Sequence, residues 1–117
     1  MGADIKVFIM DVDGVLTDGR IGYGCGSNDE IKFFDVKDGL GITLLHRCGI
    51  ATAVISGRQS LANKRRLSEL KVTHVIEGCK DKATGLHKLT FCFFIFYYYH
   101  AKRLIILQYK GKTHLIF

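Results

Sequence analysis

Short apolar runs alternate along this chain with stretches of helical periodicity. The run Ile5 to Met10, rich in Val, Phe, Ile and Met and bounded by a turn at Gly14, reads as a buried strand. Ile50 to Ile55 and Val72 to Ile76 read the same way. Between the first two runs, Leu40, Leu44, Leu45 and Cys48 recur at helical spacing, with Asp38 at the start and Gly49 at the stop. A second helix is predicted from Gln59 to Leu70 and a third from about Asp81. Thr17 to Asp38 is different: Ile21 and Tyr23, then a Gly/Asn/Asp turn, then Ile31 and Phe33 alternate as in a β-hairpin. An exposed hairpin is an unpaired edge, which a symmetric assembly can cover. Strand and helix alternating in this order predict an α/β fold with a parallel sheet, helices on its faces and the hairpin inserted.

The pattern breaks after Leu89. Nine of the 13 aromatic residues follow residue 90, but only one of the 13 glycines does. The apolar run from Leu89 to Tyr99 is about half the roughly 20 residues that a bilayer requires. His100-Ala101-Lys102-Arg103 then interrupts it, so a membrane span is not expected. A strand of an alternative core is one reading of this run, with Leu104 to Leu107 as another strand.

Composition narrows the picture. At 117 residues the chain is one domain at most, with room for a core. Cys25, Cys48, Cys79 and Cys92 form no CxxC pair, and no secretory signal is seen, so reduced thiols and a cytoplasmic location are expected. No Cys/His cluster has zinc-ligand spacing. The net charge of +6 is concentrated at one end: residues 1–89 carry 13 Lys/Arg against 11 Asp/Glu, and Lys102, Arg103, Lys110 and Lys112 supply the rest. Lys64-Arg65-Arg66 reads as a solvated helix face, so neither nucleic acid nor a membrane is an expected partner.

The candidate chemistry lies at strand ends. Asp11 and Asp13 follow the first strand, at the sheet edge where α/β proteins bind ligands, and a turn at Gly14 can aim both carboxylates at one point. Two oxygen ligands with positions left for water and phosphate suit Mg²⁺. The bland alternative is an Asp/Gly-rich surface turn. Ser56-Gly57-Arg58 joins the second strand to a helix amino terminus, where free amides and the helix dipole can cradle a phosphate, although Ser56 also reads as a plain helix cap. Lys80 and Lys82 flank Asp81 after the third strand.

The stretch Asp11 to Asp18 resembles the DxDGxxTD signature of the haloacid dehalogenase superfamily of phosphohydrolases. The resemblance implies a Rossmann-like core with Asp11 as nucleophile and Asp13 as general acid/base. Asp11 and the Asp13 carbonyl would hold Mg²⁺, and Ser56 would bind phosphate. Lys82, in preference to Lys80, would neutralise the phosphate. Over residues 5–89 a narrower likeness holds. DVDGVLTDGRI, EIKFFDVKDGLGITLL, GIATAVISGRQS and GCKDK resemble the 3-deoxy-D-manno-octulosonate 8-phosphate phosphatase family of lipopolysaccharide sugar synthesis. That likeness implies hydrolysis of a sugar-acid phosphate through an aspartyl phosphate. It further implies no large cap domain, and a homotetramer whose hairpins, residues 19–35 here, meet at the centre. Lys37, Asp38 and Arg58, together with Gly57 beside the phosphate, become candidate substrate contacts; an Arg can grip a carboxylate with two parallel hydrogen bonds. A similar module is appended to acylneuraminate cytidylyltransferases and is the alternative reading; the free-standing phosphatase is the expectation.

The family continues with a GDDxxD motif whose acids complete the metal site, and this sequence has none. The expectation is therefore a C-terminally incomplete phosphatase core over residues 1–89, followed by an aromatic and basic tail of non-family character over residues 90–117. Such a chain is either an active phosphatase or a catalytically impaired remnant.

Overall fold

In the computed structural model, the described residues are 7–26, 29–97, 105–107 and 114–116, with side chains described through Leu89. The first two residues of the expected opening strand, the Ser27-Asn28 hairpin tip, His100 and the four tail cations lie outside them.

Three parallel strands form the sheet: β1 (Val7–Met10), β4 (Ala51–Ile55) and β5 (His74–Ile76), in the order β1-β4-β5. Val7 registers with Ala51, and Ala53 with His74. Inserted between β1 and β4 are the antiparallel hairpin β2 (Gly22–Tyr23) and β3 (Glu30–Ile31), then helix α1 (Val36–Arg47). Helix α2 (Leu61–Glu69) joins β4 to β5, and α3 (Lys82–Tyr97) follows β5. Side chains on a strand point alternately to its two faces, so a strand covered on both sides must be apolar throughout. Met10 and Val54 accordingly enter one core with Val12, Leu16, Ile42, Leu67 and Val72. Val7, Ile9, Ala53 and Ile55 enter a second core, closed by Leu89 of α3.

The helix limits follow from capping. α1 begins at Val36, ahead of the expected Asp38, because the Asp35 side chain accepts the Lys37 amide at 2.8 Å. It stops at Gly49, whose φ of +75° suits a residue without a side chain. α2 starts at Leu61, not Gln59, because Ser60 is its cap and accepts the Asn63 amide at 3.1 Å. α3 packs closely on β4. A Cβ at Gly85 would lie 2.7 Å from Cys79 Sγ and 3.0 Å from Ile55 Cγ2. Gly85→Ala is expected to lower stability by about 1–3 kcal/mol, read as a lower urea midpoint at unchanged slope.

One sequence expectation about sidedness is overturned. Leu40, Leu44 and Cys48 were expected on the buried face of α1, but Leu40 and Leu44 are 59% and 49% exposed and Cys48 is exposed; Gly39 and Ile42 face the core instead. Arg66 and Leu70 pack onto Gly39, a close approach that a larger residue would block. On the hairpin, Tyr23, Ile31 and Phe33 are exposed, and the intervening Lys32 is buried.

α3 runs unbroken past Leu89, where the composition changes. Beyond it, β6 (Ile105–Leu107) pairs antiparallel with β7 (His114–Ile116). Among the described residues, no helix is long and apolar enough to cross a membrane.

Candidate active site

The site is built on a turn whose centre is anchored in the core. Val12 is fully buried, and its carbonyl accepts the amides of Val15, Leu16 and Thr17 at 3.2, 2.9 and 3.1 Å. Gly14, at φ +78°, reverses the chain, and the Thr17 hydroxyl accepts the amides of Gly14 and Gly19, each at 3.2 Å. The residues on either side of Val12 are thereby held at the carboxyl edge of the sheet. The side chains of Asp11 and Asp13 are 21% and 22% exposed, so both can be reached from solvent.

Each carboxylate meets a lysine. Asp11 Oδ1 accepts the Val12 amide at 2.7 Å, and Asp11 Oδ2 is ion-paired with Lys82 Nζ, from the first residue of α3. Asp13 Oδ1 accepts from Lys32 Nζ at 2.8 Å. Lys80 is exposed, and among the described residues its side chain makes no hydrogen bond or ion pair. The Asp13 carbonyl accepts no backbone hydrogen bond among the described residues. With the Asp11 carboxylate it forms a pair of oxygens suited to a hard cation. Among the described residues, no group of three or more His, Cys, Asp or Glu is placed to hold a metal. Two oxygen donors are as many as Mg²⁺ commonly takes from protein, with water and phosphate completing its shell.

Ser56 follows β4 and is fully buried. Its amide donates to the Ile76 carbonyl at 2.8 Å, its carbonyl accepts the Cys79 amide at 2.9 Å, and its hydroxyl accepts the Arg58 amide at 3.3 Å. The alternative reading of Ser56 as the cap of α2 is corrected, since Ser60 holds that place. Gly57 is exposed, and an added Cβ would meet only the Cys79 carbonyl, at 3.7 Å. Arg58 is 44% exposed and ion-paired with Glu30 on β3. This partner holds the Glu30 carboxyl below its ordinary value, and Glu30 raises Arg58 above its own. Lys37 and Asp38 are exposed in the first turn of α1, and among the described residues neither side chain hydrogen-bonds or ion-pairs with Asp11, Asp13 or Ser56.

Lys32, Glu30 and Asn63 join the site without having been singled out from sequence. Lys32 Nζ donates to Asn63 Oδ1 at 3.1 Å and lies 3.6 Å from Glu30 Oε2. The available signal is a charge at the alternating position between Ile31 and Phe33. A cleft of about 340 Å³ opens beside this network, bordered by Tyr23, Glu30, Gln59 and Lys64. Arg65 and Arg66, from the basic cluster, both reach Glu69 within α2, at 3.3 and 3.5 Å.

A nucleophilic carboxylate, an ammonium beside it and a second carboxylate two residues on can together attack a phosphorus centre, neutralise its oxygens and move a proton. No family model matches the chain. Among curated proteins it is 40% identical over 87 residues to the 3-deoxy-D-manno-octulosonate 8-phosphate phosphatase of Yersinia pestis, covering 74% of this chain and 46% of that one. The corresponding phosphatase of Moraxella catarrhalis, crystallised with magnesium, phosphate and KDO, superposes with a TM-score of 0.71 at 47% identity, over 76% of this chain and 51% of that one. The cobalt-bound enzyme of Haemophilus influenzae superposes with a TM-score of 0.70 at 43% identity, over 76% and 52% respectively. The chain spans about half the length of the curated relatives it matches. Over the matched three quarters of its length, the chain is similar to the 3-deoxy-D-manno-octulosonate 8-phosphate phosphatases of the haloacid dehalogenase superfamily.

Proposed function

We propose that this chain is a Mg²⁺-dependent phosphatase that hydrolyses a sugar-acid phosphate, 3-deoxy-D-manno-octulosonate 8-phosphate, in the cytoplasm. The observation that carries the reading is the meeting of Lys82 with Asp11, 71 residues apart in sequence, at the sheet edge that also presents Asp13. Asp11 attacks phosphorus, and the ester P–O bond breaks as Asp13 gives its proton to the leaving sugar oxygen. Asp13 then takes a proton from the water that splits the aspartyl phosphate, releasing inorganic phosphate and restoring Asp11. Lys82 neutralises the phosphate oxygens while Asp11 approaches. The Asp11 carboxylate and the Asp13 carbonyl would hold magnesium, which screens the phosphate charge that otherwise repels the nucleophile. Ser56 and Gly57 line the phosphate at the end of β4.

Arg58 is the group best suited to the sugar carboxylate; binding it means exchanging Glu30 for a substrate anion. Lys37 and Asp38 are assigned to substrate contact in an assembled homotetramer, where an exposed first turn of α1 can face a neighbouring site. The exposed Tyr23, Ile31 and Phe33 of the hairpin support that assembly, since apolar area of this kind gains by being covered. Residues 90–117 form a tail of non-family character after a partial core of residues 1–89.

A second reading, a catalytically impaired remnant, is favoured by one observation: among the described residues no third acid joins Asp11 and Asp13 to make a metal-holding group. The test is phosphate release by the 117-residue chain with Mg²⁺ and with EDTA, comparing 3-deoxy-D-manno-octulosonate 8-phosphate with a sugar phosphate that lacks the carboxylate. Mg²⁺-dependent release that prefers the sugar acid is expected; no release from either substrate establishes the remnant.

A further inference from the structure

Lys32 has no role in the scheme above, yet its environment is the most restrictive of the charged groups around the site. Its side chain is 0% exposed. Burying an ammonium costs several kcal/mol unless good partners compensate, and lysine is almost never fully buried without them. An apolar residue of similar length would fill the same slot without that cost. What an apolar residue could not do is bind oxygens. Nζ donates to Asp13 Oδ1 at 2.8 Å and Asn63 Oδ1 at 3.1 Å, with Glu30 Oε2 at 3.6 Å. These partners come from three separate elements: the turn after β1, helix α2 and strand β3.

Asn63 shows which partner dictates the arrangement. It is fully buried, and its Oδ1 faces the ammonium while its Nδ2 has no hydrogen-bond partner among the described residues. An amide free to choose would turn its donor toward an acceptor; this one is oriented for Lys32 at the expense of its own NH₂ group. Lys32 is therefore held from behind by α2 and presses its charge onto one oxygen of Asp13.

We propose that Lys32 is a positioning residue, whose ammonium holds one oxygen, Oδ1, of the Asp13 carboxyl group in place so that the other can carry the proton given to the leaving oxygen. The inference rests on the phosphatase reading for its kinetic consequence, but not for the contact itself. General acid catalysis contributes about 10²–10⁴-fold, and it depends on the acid standing within hydrogen-bond reach of the proton's destination. A carboxylate released from Lys32 would sample other rotamers and lose part of that factor.

The test uses the full 117-residue chain and has two arms. In the first, Lys32→Met is expected to lower kcat by roughly 10–100-fold with KM changed less than about twofold, because the binding groups are untouched. The same change made in an Asp13→Asn background is expected to lower kcat no further, since the group it positions is already gone. An unchanged kcat in Lys32→Met, or an equal loss in both backgrounds, overturns the proposal. In the second arm, the ¹H–¹⁵N resonance of the Lys32 ammonium should be visible through protection from exchange. It should also shift more in Asp13→Asn than in Asp11→Asn. A ammonium signal that is absent, or that is indifferent to Asp13, overturns the proposal even if Lys32→Met fails to fold. A wild-type chain that hydrolyses no phosphate ester sinks the phosphatase reading, while the resonance still decides whether Lys32 holds Asp13.

Discussion

Asp11→Asn is expected to lower turnover by about 10³-fold or more while leaving the fold and phosphate-ester binding in place. Asparagine keeps the shape of the side chain and can still accept the Val12 amide, so the anchoring of the turn survives. It lacks the charge needed to attack phosphorus, and it leaves Lys82 without its carboxylate partner. Single-turnover phosphate release, measured beside a circular dichroism melt, separates the two effects. A loss below about tenfold would remove Asp11 from the nucleophile's role. Retained turnover with weakened substrate binding would mean that Asp11 serves only as a counter-ion for Lys82.

Leu67→Ala carries the largest expected effect on stability, about 2–5 kcal/mol. Leu67 is 1% exposed and stands in the core that also contains Met10, Val12 and Leu16, so neighbouring groups have little room to collapse into the space left behind. Urea denaturation at constant slope would report the loss directly. Because Val12 separates the two aspartates and belongs to the same core, a loosened core should also reduce activity in the fraction that remains folded. A variant that is stable to within about 1 kcal/mol of wild type would show that α2 can shift to refill the gap.

The strands and helices of residues 7–89 were legible in the sequence because short apolar runs and 3.6-residue spacing leave few alternatives for each segment. Sidedness was not. Alternation of Ile31, Lys32 and Phe33 states that two faces differ, but it does not state which face meets the protein, and here the charged one does. In α1 the larger residues Leu40 and Leu44 outweighed Gly39 in any reading by hydrophobicity, whereas packing selected the residue small enough to admit Arg66 and Leu70.

The site divides in the same way. Asp11 and Lys82 could be brought together on paper because each lies at the carboxyl end of a strand, and a parallel sheet gathers such ends along one edge. Lys32 and Asn63 could not, since their pairing depends on how the hairpin folds back over α2, a long-range contact with no local signature. Arg58 stood out as a candidate anion grip, but its standing partner Glu30 is visible only once β3 is placed.

Helix α3 joins Lys82 and the aromatic segment in one rod about 24 Å long, at 1.5 Å per residue for its 16 residues. Leu89, seven residues from Lys82 on the same helix, closes the second core, so the packing that seats this rod against the sheet also sets where its ammonium meets Asp11.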